Sequence, residues 1–394
     1  MRQAEAARQE LITLSCVFLV ALNLRPALAS LGPVLETLRK DLQLSHGTAG
    51  LLTTLPVLCM GVFSPLAMRL NRRFGLKVAV LISTLLIGGA TLMRGMGNFF
   101  GLLISAVVAG AGIALLSPLL SIFVKQTYPA RSARVSSWTT SALCLGAGLA
   151  AGVSAPITSW LGWPQGLASW SVLAFVAAGL WWYWVPSTMT VSMAVSSGRL
   201  PWRQPRAWLL MLIFGLHSII FYVLLAWVAP AYLEYGKSAA QAGHLLGLFA
   251  IMQVVGTLLV SALPTAQRER RPAILFCSVC MLMGLLGVWA APLWLPELMM
   301  CLLGAGTAGF FSLMLILPLD YSESPTSAGA WTAMMCGGGY VIASTGPVVA
   351  GWLRDHSANY HRVFGLLMLL SVLVFLCCLL LAPVSTRGES THAV

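Results

Sequence analysis

Arg25 is the one charged residue in an apolar run from 11 to 35, with Asn23 two positions before it and Pro26 directly after. In a helix that crosses a bilayer such an arginine costs about 2.5–3.5 kcal/mol on insertion scales. It keeps its charge, because a guanidinium does not deprotonate in proteins, and so it must face protein or water. Its planar fork of N–H donors suits an anion or a strongly accepting carbonyl or nitro oxygen. The alternative is a structural role, with the fork bound to backbone carbonyls or to Asn23. Pro26 removes one helical hydrogen bond and allows a kink at this point.

A partner for Arg25 is expected in the second half of the chain. Aligning Gly32-Pro33 with Ala229-Pro230 puts Tyr222 at the equivalent depth. With Phe221 and Trp227 it would offer a flat solute aromatic faces and one phenol hydroxyl, although such rings also serve as packing or interfacial anchors. His217 is the only histidine deep in an apolar run. It is either a proton carrier, since histidine titrates near neutrality, or a hydrogen-bonded core residue. His244, nearer the end of its run, fits a gate or cap as well as a ligand. The hydroxyl-rich run Ser136-Ser137-Trp138-Thr139-Thr140-Ser141 is answered later by Trp331, Thr332 and Tyr340. Trp138 and Trp331 are therefore candidate cavity walls, and Gln253 is a buried amide able to donate and accept. Hydroxyls in such helices also bond back to their own carbonyls.

No Asp or Glu falls in the middle of an apolar run. Proton-driven pumps commonly hold a buried carboxylate there. All nine cysteines lie within apolar runs, and the Cys277–Cys280 pair has no second pair, nearby histidine or loop. They read as small packing residues. Phosphate-binding loop, metal-ligand cluster and nucleophile triad are all missing, so neither cofactor nor metal is expected.

These residues need membrane-spanning elements to position them. Of the 394 residues 58% are hydrophobic and 9% charged, against about 25% charged in soluble proteins. A cytosolic enzyme is excluded. The runs are long and lack the ten-residue alternation of a barrel, so they read as helices that satisfy their own backbone. At about 20 residues per crossing twelve spans are predicted, over 11–35, 47–69, 76–94, 99–124, 135–157, 166–186, 207–233, 240–263, 272–291, 296–317, 327–352 and 360–383. Ala27-Leu28-Ala29 imitates a signal-peptidase site. Arg25 and Pro26 directly before it and the apolar pattern beyond it argue for a retained helix.

The net charge of +12 is sorted by side. Sixteen Lys and Arg fall in the even-numbered loops and termini, against six on the other side: Arg39, Lys40, Arg94, Lys237, Arg354 and Arg362. The positive-inside rule then puts both termini in the cytoplasm, and nucleic acid is not an expected partner.

The second half repeats the first at a shift of about 193 residues. Ser45–Gly50 answers Ser238–Gly243, Gly110-Ala111-Gly112 answers Gly304-Ala305-Gly306, and Trp138 answers Trp331. Small residues at Gly148, Gly152 and Gly337-Gly338-Gly339 allow close helix approach. Between the halves lies the polar stretch 187–206, read as a linker. The expected architecture is an all-α integral membrane protein, twelve helices in two pseudo-symmetric six-helix bundles, 1–186 and 207–394.

After span 2 stands Ser64-Pro65-Leu66-Ala67-Met68-Arg69-Leu70-Asn71-Arg72-Arg73-Phe74-Gly75-Leu76-Lys77. This resembles the basic loop of the major facilitator superfamily. Arg72 replaces the motif's usual aspartate, so its carboxylate latch is not carried over. Arg69, Arg73 and Lys77 bridge helix ends or lipid phosphates, or only anchor the topology. Ala21-Leu22-Asn23-Leu24-Arg25-Pro26, Leu51–Pro56, Ala226–Pro230 and Leu317-Pro318-Leu319-Asp320 are similar to the bacterial cyanate-permease branch, which includes a nitroimidazole transporter. The likeness implies a small-solute transporter of the inner membrane, no enzyme, without fixing the solute; with Arg25 and no buried acid, the expectation is a monomer moving a small anionic or polar planar solute by alternating access. Asp320 would then be a gating or structural residue. The rival is a multidrug exporter of amphipathic cations, which normally needs buried acid.

Overall fold

The computed structural model describes residues 2–186, 200–262, 269–322, 325–357 and 359–381. Twelve helices among them are long and apolar enough to cross a membrane: spans 1 to 12 are Arg8–Asp41, His46–Phe63, Leu76–Met96, Phe99–Thr127, Arg134–Leu161, Trp163–Trp184, Pro205–Glu234, Ala239–Ala262, Arg270–Ala290, Pro296–Tyr321, Ser327–Asp355 and His361–Leu379. No strand occurs among the described residues. Most of the predicted linker, 187–199, lies outside them. Odd spans run from the terminal face, where span 1 begins, to the opposite, far face.

Two ends differ from expectation. Span 2 stops at Phe63, and a separate helix Leu66–Phe74 carries the basic loop. Pro65, lacking an N–H, cannot continue the ladder, and Gly75 at φ +79° supplies the turn into span 3. Span 1 is broken. Its helix ends at Leu22, resumes at Pro26–Ala29, passes through a 3₁₀ turn at Gly32–Val34 and ends as Leu35–Asp41. Asn23 and Leu24 tighten onto the carbonyls of Val20 and Ala21 at 3.2 and 3.1 Å, because Pro26 offers no amide to carry the α-helix through.

The packing map repeats. Span 1 packs on 5 and 6, span 2 on 4, and span 3 on 4 and 6; span 7 packs on 11 and 12, span 8 on 10, and span 9 on 10 and 12. The repeated Gly-Ala-Gly triplets explain part of this. A Cβ on Gly110 would lie 2.5 Å from Pro56 of span 2, and one on Gly112 2.8 Å from Ile87 of span 3. In the second half Gly304 meets Phe249 of span 8 at 2.3 Å, and Gly306 meets Cys277 of span 9 at 2.9 Å. Each triplet wedges one helix between the same two neighbours.

The halves meet where span 2 lies on 11 and span 5 on 8. Small residues line both seams, Gly61 against Gly337 and Gly247 against Gly148 and Gly152. Smooth backbones packed this way leave few side chains to unlock when one half tilts against the other.

At the far face the halves are tied together. Asp355, ending span 11, accepts the backbone N–H groups of His46 and Gly47 at 2.9 and 2.8 Å, and its Oδ1 lies 2.7 Å from His46 Nδ1. One carboxylate thus caps the N-terminus of span 2, where the helix dipole favours an anion. Nε2 of His46 faces Glu36 of span 1 at 3.9 Å. At the terminal face Arg131 pairs with Glu10 inside the first half, and Arg270 with Asp320 inside the second. Asp355→Ala removes three cross-half contacts at once. It is expected to favour a far-open form by about 1.5–3 kcal/mol, the range for hydrogen bonds to a charged group. Distance distributions between spin labels at Lys40 and Ser238 should gain a longer component, and an unchanged distribution would show that the far face is held elsewhere.

Candidate functional site

Arg25 stands at the break in span 1, as the residue leading into the Pro26–Ala29 turn. The carbon at the centre of its guanidinium lies 4.8 Å from the centroid of the Phe221 ring and 5.9 Å from that of Tyr222, both on span 7. This is cation–π distance. Its Nη1 is buried without a hydrogen-bond partner. The Tyr222 hydroxyl donates to the thioether of Met60 in span 2 at 3.6 Å, and its ring lies 6.4 Å from that of Tyr340 in span 11. On span 8 the Gln253 carbonyl oxygen accepts from the Cys144 thiol of span 5 at 4.0 Å, while its Nε2 is buried and unpartnered. Tyr222, Tyr340 and Cys144 all feel the charge of Arg25.

Span 7 therefore meets the guanidinium of span 1 directly, Tyr222 connects it to spans 2 and 11, and the Cys144–Gln253 contact of spans 5 and 8 lies within reach of its charge. A buried donor left unmade costs roughly 1–3 kcal/mol. The unpartnered atoms at this centre, Arg25 Nη1 and Gln253 Nε2, are both donors, and the fixed charge is positive. Such a set is complemented by an acceptor, best of all an anion. Four aromatic or sulfur side chains, Phe221, Tyr222, Tyr340 and Met60, make its remaining wall soft and apolar.

Other sequence candidates lie elsewhere. Asn23 donates to the carbonyls of Leu19 and of Leu173 in span 6, at 2.7 and 3.4 Å. It faces into its own half, and so neither joins the donor set nor holds Arg25. His217 bonds through Nε2 to the Thr307 carbonyl at 3.0 Å and stacks on Phe310 at 4.7 Å, both in span 10. A carbonyl only accepts, so Nε2 carries the hydrogen and the buried Nδ1, which has no partner, carries the free lone pair. Trp227 donates to the Pro347 carbonyl at 3.0 Å and packs 5.9 Å from His46, which makes it part of the far-face closure. The two repeat-related tryptophans are unequal, Trp138 half exposed and Trp331 buried. His244 is exposed.

In the basic loop Arg69 and Arg73 are exposed. Arg73 lies over Phe74 at 5.4 Å, and Lys77 over Trp182 at 5.0 Å. Asp320 takes two N–H groups of Arg270, tying the start of span 9 to the end of span 10. Cys277 packs on glycines of span 10. An open recess of about 420 Å³ at the terminal face is lined by Gln9, Thr13, Tyr128 and Arg131. All its walls come from the first half, so a movement between halves would not switch its exposure.

Sequence reasoning missed two features. Met60 and Cys144 touch the centre, but a thioether and a thiol in apolar runs carry no signal beyond packing. Arg94, counted from sequence as a loop base of the far side, is 1% exposed and hydrogen-bonded to Ser30, Ser105 and the Ala27 carbonyl. Arg25 is thus not the only arginine held inside the bundle. Two serines on neighbouring spans and no nearby acid were the available hint.

The sequence and the fold have counterparts among known proteins. The sequence pattern of the Major Facilitator Superfamily matches residues 14–344 and 207–393. The cyanate transport protein of Escherichia coli (strain K12) is 36% identical over 93% of this chain and 96% of its own length. The 2-nitroimidazole transporter of the same organism is 27% identical over 90% and 91%. Among solved structures, the xylose transporter of E. coli in an inward-open conformation superposes with a TM-score of 0.77 at 16% identity, over 96% of this chain and 97% of that one. Twelve spans, the doubled packing map and the sequence match together make this chain a member of the Major Facilitator Superfamily, in the branch of the cyanate and nitroimidazole transporters, a multi-pass membrane transporter and not an enzyme.

Proposed function

We propose that the chain carries a small anionic or polar planar solute, of the cyanate or nitroimidazole kind, across the membrane by alternating access, with Arg25 as the anchor. The observation that carries this reading is the buried, unpartnered Nη1 of Arg25 facing Phe221 and Tyr222 of the opposite half. A solute with an accepting oxygen or nitrogen satisfies that donor and the Nε2 of Gln253. A flat solute also stacks on the rings. Because the charge sits on one half and the rings on the other, an occupied site draws the halves together. We take the terminal face to be the cytoplasmic one, in a bacterial inner membrane, since basic residues favour it sixteen to five once the buried Arg94 is left out, with Arg69, Arg73 and Lys77 against lipid phosphates. Nothing in the site requires a second copy of the chain. A monomer suffices.

Lipophilic cations fit poorly, since Arg25 repels them and no carboxylate is among the residues described around it. Flux in proteoliposomes of cyanate, small carboxylates and 2-nitroimidazole, measured beside a cationic dye, is expected to favour the anions or the azole. Dye transport alone would overturn the assignment. Arg25→Ala should weaken binding by about 1.5–3 kcal/mol, tenfold or more. Arg25→Lys should also weaken it, because an ammonium keeps the charge without the planar fork. Wild-type affinity in monodisperse Arg25→Ala protein would end the anchor role. Tyr222→Phe removes the hydroxyl that meets the Met60 thioether and lies beside Arg25, and affinity should fall by roughly fivefold, the loss of one neutral hydrogen bond of about 1 kcal/mol.

Uniport or exchange is the default mode for a site without a carboxylate. Any proton coupling is assigned to His217, at its free Nδ1. His217→Gln is then expected to abolish solute-dependent pH change in weakly buffered vesicles and to leave counterflow intact. Undiminished proton movement in that variant would remove His217 from the mechanism.

A further inference from the structure

Arg94, near the far end of span 3, is the most deeply buried charged side chain described, and the solute reading above gives it no role. Its Nε donates to Ser105 of span 4 at 3.0 Å, its Nη1 to Ser30 of span 1 at 3.2 Å, and its Nη2 to the Ala27 carbonyl at 2.6 Å. All three partners are neutral. Burying a cation with no opposite charge is costly, and an apolar side chain of similar volume would often stabilise a core better.

The carbonyl of Ala27 explains the cost. In a continuous helix it would take the N–H of Leu31. Here Leu31 bonds instead to the Leu28 carbonyl at 3.4 Å, as the chain passes from the Pro26–Ala29 turn into the 3₁₀ turn. The break therefore frees a buried acceptor two residues past Arg25, and Arg94 fills it with a charge-assisted hydrogen bond. The repeat offers a control inside the same molecule. Span 7, the counterpart of span 1, is one unbroken helix over Pro205–Glu234, and the residues equivalent to Arg94 at a shift of 193–194 are Gly287 and Val288. The arginine is found only in the half that contains the break.

We propose that Arg94 is a positioning residue: it clamps the Pro26–Ala29 turn of span 1 to spans 3 and 4 and so fixes where Arg25 enters the site. It is not a second anion site, since each of its nitrogens already has an acceptor and the side chain is 1% exposed. The consequence for binding rests on the reading of Arg25 as anchor; the clamp itself does not.

Two readouts separate these claims. In Arg94→Met, hydrogen exchange at the backbone amides of residues 27–34 is expected to accelerate about tenfold or more, as for the loss of a charged hydrogen bond, while spans 7 to 12 keep wild-type protection. In proteoliposomes the KM for cyanate or 2-nitroimidazole, whichever is transported, should rise about tenfold with kcat changed less than twofold. Arg94→Lys, which retains one donor for the Ala27 carbonyl, should recover part of both effects. If Arg94→Met does not fold, Ser30→Ala and Ser105→Ala each remove one arm, and smaller accelerations confined to the same segment are expected. Unchanged exchange at residues 27–34, or acceleration spread evenly over all spans, would overturn the clamp. A normal KM together with local acceleration would uphold the clamp and overturn its positioning of Arg25, while affinity in Arg25→Ala decides the anchor separately.

Discussion

Pro26 has no amide hydrogen, and in a lipid environment that one missing donor governs much of the architecture. Backbone groups within the hydrocarbon core must be satisfied inside the protein, so a break in a span is tolerated only where side chains or neighbouring helices take over. Span 1 breaks at 23–25. The break turns Arg25 out of the helix wall toward span 7, and the 3₁₀ turn that follows frees the Ala27 carbonyl toward Arg94. The two inner arginines thus sit at two successive irregularities of one span, Arg25 at the proline break and Arg94 on the carbonyl left free at the entry to the 3₁₀ turn. One is fully satisfied by its own half; the other keeps a donor open toward the opposite half.

The rest of the fold supplies a frame that moves without losing its packing. Each Gly-Ala-Gly triplet seats its helix against two neighbours of its own half, with Cβ clearances too small for any other residue. Those contacts have no slack. The seams between halves also use small residues, close-packed between spans 2 and 11, where a Cβ on Gly50 or Gly351 would lie 2.6 Å from Pro347 or 2.3 Å from His46, and looser between spans 5 and 8, where Gly247 is 3.7 Å from Gly152. Apart from the contacts of Cys144 with Gln253 and Tyr222 with Met60, the polar tie described across them is at the far face, where one carboxylate holds the start of span 2. Strength inside the halves and smoothness between them is the mechanical requirement for rigid-body rocking about a central site.

Much of this was legible in the sequence because it depends on periodic or compositional signals. Twelve apolar runs, the repeat through Trp138 and Trp331, and the basic bias of one face survive in single-residue reading. Arg25 stood out because a charge in a long apolar run has few explanations, and the alignment of Gly32-Pro33 with Ala229-Pro230 brought Tyr222 to its depth. What the sequence hid was direction around the helix axis. Asn23 and Arg25 are two residues apart, about 200° around an ideal helix, and they face different neighbours. His217 and Tyr222 lie on the same span, yet one meets span 10 and the other spans 2 and 11. Arg94 was hidden by position. An arginine at the end of a span reads as a loop base, and only the fold reveals that the loop is too short to carry it into solvent.

A fixed charge at the centre also constrains how transport can be energised. A carboxylate or histidine at that position could shed or take a proton as the site changes sides, linking solute to proton directly. A guanidinium stays charged at every stage, so an empty site retains a buried cation that aromatic rings solvate only weakly. Closing the halves around it is costly when nothing accepts its free donor, and favourable when a solute does. On the proposed reading, the solute itself then supplies the difference in free energy between an empty and a loaded carrier, because a ligand shifts a conformational equilibrium only by its differential affinity for the two states. Exchange of one solute for another follows as the natural mode of such a site, and net proton movement would require a separate titratable group whose environment changes with the same tilt. His217 meets part of that condition by position, buried between two spans of one half. It is linked to Arg25 only through span 7, which carries both His217 and the rings that close the site.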